Sequence, residues 1–174
     1  MKKSIALWQF VGFALTSFVG TLLHFLYDWS EKSSLAAIFS GVNESTWEHM
    51  KLFFWPAFLF AVGQSFFFRE DSRFWCIKLR GILLGLALIP ILFYGYNGII
   101  GKSPDFVNIA IFFASAAFSF FYEAKTLHSD QTRCKAPKIA FAALCVIALF
   151  FIIFTFQTPK IELFRDPITQ SFGI

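Results

Sequence analysis

Uncharged hydrophobic runs alternate with short charged segments along the whole chain. A bilayer core needs about 20 apolar residues per helix, and the runs are close to that length. The pattern therefore predicts an all-α membrane protein, a bundle of five transmembrane helices in a single integral membrane domain of residues 1–174. Where a run is short, the predicted helix extends into its flanking polar turns. The predicted spans are residues 4–27, 44–68, 79–99, 105–122 and 138–158.

The basic residues are distributed unequally between the two ends of these predicted helices. Lys and Arg are enriched in cytoplasmic loops, and ten of the 15 basic residues collect at one end. The ten are Lys2, Lys3, Arg69, Arg73, Lys78, Arg80, Lys125, Arg133, Lys135 and Lys138. The bias predicts a multi-pass protein of the cytoplasmic membrane, with its N-terminus cytoplasmic and its C-terminus extracytoplasmic. Topology then accounts for the net charge of +4, so no nucleic-acid partner is expected.

The composition supports a membrane class and gives no cysteine-based site. Hydrophobic residues make up 57% of the chain, charged residues only 15%, and 27 of the 174 residues are phenylalanine, far from the soluble average. The lipid bilayer is therefore the expected partner. Cys76, Cys134 and Cys145 are too scattered for a metal or redox motif. Because the first two are placed in the cytoplasm, where thiols stay reduced, no structural disulfide is expected.

One polar segment, residues 42–51, stands out in this apolar chain. Asn43 and Ser45 are good helix caps, and Ser45 with Glu48 has capping-box spacing. A helix should therefore begin here and continue without a break through residue 68, with at most a bend at Pro56.

On such a helix Glu44, Glu48, Lys51 and Trp55 would share one stripe, because they are four, three and four residues apart. The two carboxylates would repel each other. Their pairing calls for a cation, a shared proton or Lys51 as partner.

The first predicted helix carries a second polar stripe that ends in His24 and Asp28, near its outer end. Ionisable groups at this depth usually have partners inside the bundle. Antiparallel packing through residues 29–42 would bring both beside Glu44 and Glu48. We expect residues 29–42 to cover one pocket and the tail from Pro159 to Ile174 to fold back over the outer face. The residues expected to converge on this pocket are His24, Asp28, Glu44, Glu48, His49 and Lys51. The plainer alternative is a hydrogen bond from His24 to a neighbouring hydroxyl, with Asp28 among lipid head groups.

The motifs of these segments also carry a family resemblance. Residues 42–45 (VNES) and 47–52 (WEHMKL), together with 23–29 (LHFLYDW), 164–167 (FRDP) and 172–174 (FGI), resemble a family of small bacterial integral membrane proteins classed as a domain of unknown function. The similarity runs the whole length of the chain. It implies a bacterial inner-membrane protein and supplies no activity.

A metal-dependent membrane hydrolase is the sharpest functional hypothesis from the residues. Nitrogen and oxygen ligands suited to zinc or a similar divalent metal are available, but no H-E-x-x-H motif is present. Glu48 and His49 diverge by about 100° on a helix, which disfavours one shared ion. The expected metal ligands are His24, Asp28, Glu44 and Glu48; the expected catalytic residues are Glu48, His49 and Lys51; the expected substrate-binding residues are Asn43, Trp47, Tyr94, Tyr96 and Asp166.

Two other functional classes stay open. Carboxylates and a histidine in a helix bundle can form a proton or cation site in a transport or small-solute binding protein. The same charges can also be structural, since acidic residues stabilise a helix N-terminus, in a protein that serves as a membrane partner for others. The ligand, a small molecule or a lipid, and the oligomeric state are not determined by the sequence.

Overall fold

A computed structural model describes residues 2–129 and 132–174, and this part of the chain is all-helical apart from one isolated bridge, Arg165 to Phe172. A 3-10 turn, Glu162–Phe164, lies in the tail. The α-helices are α1 Lys2–Trp29, α2 Ser34–Phe39, α3 Thr46–Ser65, α4 Phe74–Ile99, α5 Asp105–His128 and α6 Pro137–Phe156.

Four of these helices are long and apolar enough to cross a membrane: α1 from Ser4 onward, α4, α5 and α6. The fifth expected span corresponds to α3, which has 20 residues but does not reach that hydropathy. The reason lies in its position, because α3 is the central helix and buries polar and charged side chains as well as aromatic rings against its neighbours.

Small residues on α1 set how closely it packs against the other helices. A Cβ atom at Gly20 would lie 2.7 Å from the ring of Phe112 and 3.0 Å from the carbonyl oxygen of Leu52. A Cβ atom at Gly12 would lie 2.5 Å from ring atoms of both Phe60 and Phe120. These contacts place α1 antiparallel to both α3 and α5, so the C-terminal end of α1 lies beside the N-terminal end of α3.

The connection between α1 and α3 folds over this end of the bundle, as expected. Within it, α2 is only six residues long, and Ala37 is fully buried. Ser40 fixes the segment to α1, since its hydroxyl accepts from the Tyr27 amide at 2.9 Å and donates to the Leu23 carbonyl at 2.6 Å. The tail also returns here, because Asn43 donates to the Gly173 carbonyl at 3.1 Å.

The opposite end contains a disulfide between Cys76 and Cys134, which corrects the expectation of no structural disulfide. The two cysteines are 58 residues apart, one in the first turn of α4 and the other in the α5–α6 connection. Their pairing depends on how these segments pack, which the spacing of cysteines along the chain cannot reveal.

Candidate metal centre

Three ligand side chains meet at the end of the bundle covered by α2 and the tail. His24 Nε2 lies 3.4 Å from Glu44 Oε1, and His49 Nε2 lies 3.7 Å from Glu44 Oε2. One ligand atom from each residue lies within 4.8 Å of the other two. All three residues are half-buried. Residues 2–129 and 132–174 hold no second group of this kind.

The turn before α3 explains how Glu44 reaches the histidines. Ser45 is the N-cap, with extended backbone, and its hydroxyl accepts from the Glu48 amide at 3.4 Å. Asn43 Oδ1 accepts from the Ser45 amide at 2.9 Å, which closes a turn around Glu44. Glu44 therefore precedes the helix. The predicted stripe shared by Glu44 and Glu48 does not form, because only Glu48 is helical.

The ring of His49 is oriented by the same cap residue. Its Nδ1 lies 3.0 Å from the Ser45 carbonyl oxygen, which can only accept, so this hydrogen bond assigns the proton to Nδ1. The other ring nitrogen, Nε2, then faces Glu44. Histidines that bind metals typically donate their other ring N–H to a carbonyl or carboxylate in this way.

Glu44 is held in its charged form. The hydrogen bond from His24 lowers the pKa of the Glu44 carboxyl below its usual range, and the charge of His49 acts in the same direction. Burial and the nearby Asp166 act against this shift and do not overcome it. At neutral pH the cluster therefore contains a carboxylate between two histidine rings.

Glu48 and Lys51, expected at the site, instead form a buried ion pair beside it. Lys51 Nζ lies 2.6 Å from Glu48 Oε2, and it also donates to the Ala37 carbonyl at 2.8 Å and the Thr155 hydroxyl at 3.0 Å. Glu48 accepts from the Val42 amide at 3.1 Å. The pair thus attaches α2, the turn before α3 and the end of α6 to one another, and neither side chain lines the cavity described next.

A cavity of about 140 Å³ opens next to the cluster, and Glu44 and His49 are part of its wall. One side of the wall is polar and internally hydrogen-bonded: Ser103 donates from its hydroxyl to Asn108 Oδ1 at 2.7 Å and from its amide to Asn97 Oδ1 at 2.9 Å. The other lining residues are Thr46, Ile89, Phe93, Lys102, Asp105, Ile111, Phe112, Pro167 and Ile168.

The remaining predicted site residues fall outside the cluster. Asp28 is exposed, one turn beyond His24. The Trp47 ring packs against Phe151 and Phe164, with centroids 4.5 and 4.6 Å away. Tyr94 donates from its hydroxyl to the Glu162 carbonyl at 3.2 Å. Tyr96 lies on a groove between α4 and α5.

Asn43 and Asp166 connect the turn before α3 with the C-terminal tail. Asp166 is buried, and its Oδ1 accepts from the amides of Ile168 and Thr169 at 2.7 and 3.2 Å. Burial raises the pKa of Asp166, but these backbone N–H groups, together with that of Glu44, lower it below its usual range. A charged Asp166 therefore holds the tail turn against the turn that carries Glu44.

A second buried ion pair, at the other end of the bundle, was not found from the sequence. Lys78 Nζ lies 2.6 Å from Glu123 Oε2, with both side chains 1% exposed, and 3.4 Å from Gln9 Oε1. The hydropathy pattern placed Lys78 just outside a span, whereas α4 begins at Phe74. One signal was present: Glu123 follows Ser115 and Ser119 at four-residue steps, so it continues the polar face of α5.

The chain belongs to the family of unknown function DUF6512, whose sequence model matches residues 1–174. Comparison with curated proteins and comparison with solved structures gave no match.

Proposed function

We propose that this protein is a multi-pass membrane protein that binds a divalent metal ion such as zinc through His24, Glu44 and His49, and hydrolyses a substrate held in the adjoining cavity. The observation that carries the proposal is the convergence of these three ligand atoms within 4.8 Å, with the His49 ring fixed by the Ser45 carbonyl.

The donor set and its spacing fit zinc. Zinc ligand atoms lie about 2.0–2.2 Å from the ion in tetrahedral geometry, so neighbouring ligand atoms are about 3.3–3.6 Å apart. His24 Nε2 lies 3.4 Å from Glu44 Oε1 and His49 Nε2 lies 3.7 Å from Glu44 Oε2, both close to this spacing. Two histidines and one glutamate are also a known ligand set of catalytic zinc sites, which leave one position for water or substrate. A bound ion would polarise the substrate and make that water acidic enough to react near neutral pH.

The chain's own residues would complete the reaction. Asp105 is the carboxylate in the cavity wall outside the ligand set, and we assign it the role of general base. For an ester, Asp105 accepts a proton as the water oxygen bonds to the carbonyl carbon; the C–O bond to the leaving alkoxide then breaks, and Asp105 returns the proton to that oxygen. Asn108, whose Oδ1 accepts from the Ser103 hydroxyl, offers its side-chain N–H groups to orient the substrate.

The test of this proposal is metal content together with activity. Protein purified with zinc should retain one ion per chain, and His24→Gln, Glu44→Gln and His49→Gln should each lose it. Glu162→Gln, a change at an exposed carboxylate of the tail, is the matched control. Zinc retained by all three cluster variants would refute the site, while zinc binding without ester or amide hydrolysis would refute only the enzyme.

The proposal includes α3 as a fifth span and a cytoplasmic N-terminus, in the cytoplasmic membrane. The 20 residues of α3 measure about 30 Å, the thickness of a hydrocarbon core. The basic-residue bias supports this orientation. The Cys76–Cys134 disulfide weighs against it, because disulfides persist in oxidising compartments. Labelling with a membrane-impermeant thiol reagent tests the orientation, with Ser34→Cys and Ser72→Cys introduced separately into a protein without native cysteines. Only Ser34→Cys should react from outside the cell. Reaction of Ser72→Cys alone would show that the orientation is inverted.

A second candidate function, proton or cation passage, is favoured by the buried polar groups between the two ends of the bundle. The side-chain atoms Gln9 Nε2, Thr16 Oγ1 and Ser115 Oγ are buried and make no hydrogen bond within the described structure. Such groups usually bond to internal water, and intramembrane ion pairs such as Lys78–Glu123 often mark proton pathways. Proton flux into proteoliposomes that Glu123→Gln abolishes would support passage, and flux unchanged in that variant would refute it.

A further inference from the structure

An apolar groove lies on the outside of the bundle, between the C-terminal half of α4 and the N-terminal half of α5. Its lining is almost wholly hydrocarbon, supplied by Ile91, Leu92, Gly95, Tyr96, Ile99, Ile100, Val107, Ala110, Ile111 and Ala114. Both helices are candidate membrane spans. In the bilayer this surface therefore meets lipid chains rather than water.

The groove and the cavity beside the histidine–glutamate cluster adjoin each other at one residue. Ile111 lines both, so its side chain is the partition between the polar cavity and the apolar groove. A molecule that passes this residue has one end at Glu44 and His49 and the other end between α4 and α5.

The size of the cavity limits what can enter it. Sites that enclose a whole drug-sized ligand are about 300–1,000 Å³, and this cavity is about 140 Å³. It has room for a polar head or an ester group and not for a hydrocarbon chain. A chain attached to such a head has to lie elsewhere, and the groove is the apolar surface that adjoins the cavity.

The charge of the cavity identifies the kind of head group. Its charged lining residues are Glu44, Asp105 and Lys102, and His49 also lines it. A divalent ion at the cluster outweighs Glu44, and Lys102 balances Asp105, so the loaded cavity carries net positive charge. That charge is complementary to a phosphate, and the side-chain N–H groups of Asn108 can hydrogen-bond to its oxygens or to an ester carbonyl.

We infer that the substrate of the proposed metal site is a phospholipid, with its head group in the cavity and one acyl chain in the groove between α4 and α5. This inference rests on the proposed function, because it takes the metal cluster to be the reacting centre. The metal site then cleaves a bond close to the head group, and the membrane itself supplies the substrate from the side.

Two variants on the groove and one on another lipid-facing surface test the inference. Ala110→Trp and Ala114→Trp fill the groove without touching the cluster, and Leu149→Trp on α6, where Leu149 is 54% exposed, adds the same bulk elsewhere. The readout is native mass spectrometry of the full-length protein with palmitoyl lysophosphatidylethanolamine. Glycerophosphoethanolamine, which has the same head group and no chain, is the second probe.

The wild type and Leu149→Trp should retain one lysolipid, and the groove variants should retain it about tenfold less tightly, a difference of about 1.4 kcal/mol. The chainless probe should bind weakly to all four proteins. Equal lysolipid retention by Ala110→Trp, Ala114→Trp and Leu149→Trp would overturn the inference. Metal measured on the same samples separates the two proposals: groove-dependent retention without metal refutes the metal enzyme alone, and metal with groove-independent retention refutes the lipid substrate alone.

Discussion

His49 donates a hydrogen bond from Nδ1 to the carbonyl oxygen of Ser45, at 3.0 Å. Ser45 also caps α3 through its side chain, which accepts from the Glu48 amide. One residue therefore both starts the central helix and turns the His49 ring so that Nε2 faces Glu44. The geometry of the candidate metal centre is consequently tied to the local stability of the first turn of α3.

Removing the cap should weaken the metal site without removing a ligand. We expect Ser45→Ala to destabilise the protein by about 0.5–2 kcal/mol, the usual cost of losing an N-cap, and to lower zinc affinity because the first turn of α3 frays. Thermal unfolding and competitive zinc titration measure the two effects. Ser45→Thr, which keeps the hydroxyl, should stay near wild type in stability and in zinc affinity. A Ser45→Ala protein with wild-type zinc affinity would show that the metal site does not depend on the cap.

Acid should weaken the metal-free protein through Glu44. The pKa of Glu44 is lowered by its hydrogen bond with His24, so the charged form is favoured by folding. This contribution is fully present above the unfolded pKa, near the ordinary glutamate value of about 4.3, and is lost as the pH falls through the lower folded pKa. Melting temperatures of wild type and Glu44→Gln should therefore converge as the pH is lowered below about 4. A constant difference down to the lowest pH would contradict the linkage.

The proposed general base can be separated from the ligands by its effect on rate alone. We expect Asp105→Asn to bind zinc as tightly as wild type and to lose about 10²–10⁴-fold in the rate of hydrolysis, the usual contribution of general acid–base catalysis. Stopped assays and metal analysis on the same preparation test this. Asp105 is also the first residue of α5, so a variant that loses helix content together with activity would point to a structural role.

The buried pair of Lys51 and Glu48 should behave differently from an exposed pair. Lys51 is fully buried, and breaking such a pair leaves an uncompensated charge, so Lys51→Met should cost about 3–5 kcal/mol. Adding Glu48→Leu should recover much of this loss. The exposed pair of Arg165 and Glu162 is the control, because Arg165→Met should cost less than about 1 kcal/mol. Denaturant unfolding measures the stability of each variant. If the Lys51→Met/Glu48→Leu protein is no more stable than Lys51→Met, the loss does not come from the unpaired charge of Glu48.

The disulfide between Cys76 and Cys134 should contribute to stability. Cross-linking residues 58 positions apart should stabilise the fold by about 4 kcal/mol according to the chain-entropy relation. Cys134→Ser should therefore lower the thermal stability, while Cys145→Ser at the free cysteine should change it little. On electrophoresis, wild type and Cys145→Ser should migrate differently with and without a reducing agent, whereas Cys134→Ser should not. If none of the three proteins changes its mobility when the reducing agent is added, the bond does not form.

Features that depend on neighbours along the chain could be predicted from the sequence. The helical class follows from run length and hydropathy, and the start of α3 follows from Ser45 and its spacing to Glu48. Pro56 lies inside a continuous helix, as expected. The approach of His24 to Glu44 was also predictable, because a short connection leaves two antiparallel helices side by side. Each of these inferences uses residues close in sequence or adjacent helix ends.

Features that depend on packing between helices required the tertiary structure. Because Glu44 lies one residue before the cap, its direction follows the turn, and it meets His49 rather than aligning with Glu48. Lys51, one of the partners that the sequence allowed for these carboxylates, pairs with Glu48 alone, and the burial of this pair under α2 depends on packing. Likewise, Lys78 meets Glu123, and Cys76 meets Cys134, only after α4 and α5 have packed together. The physical reason is that the rotation and depth of each helix are set by the fit of side chains such as Phe112 against Gly20, and this fit leaves no periodic signal in the sequence.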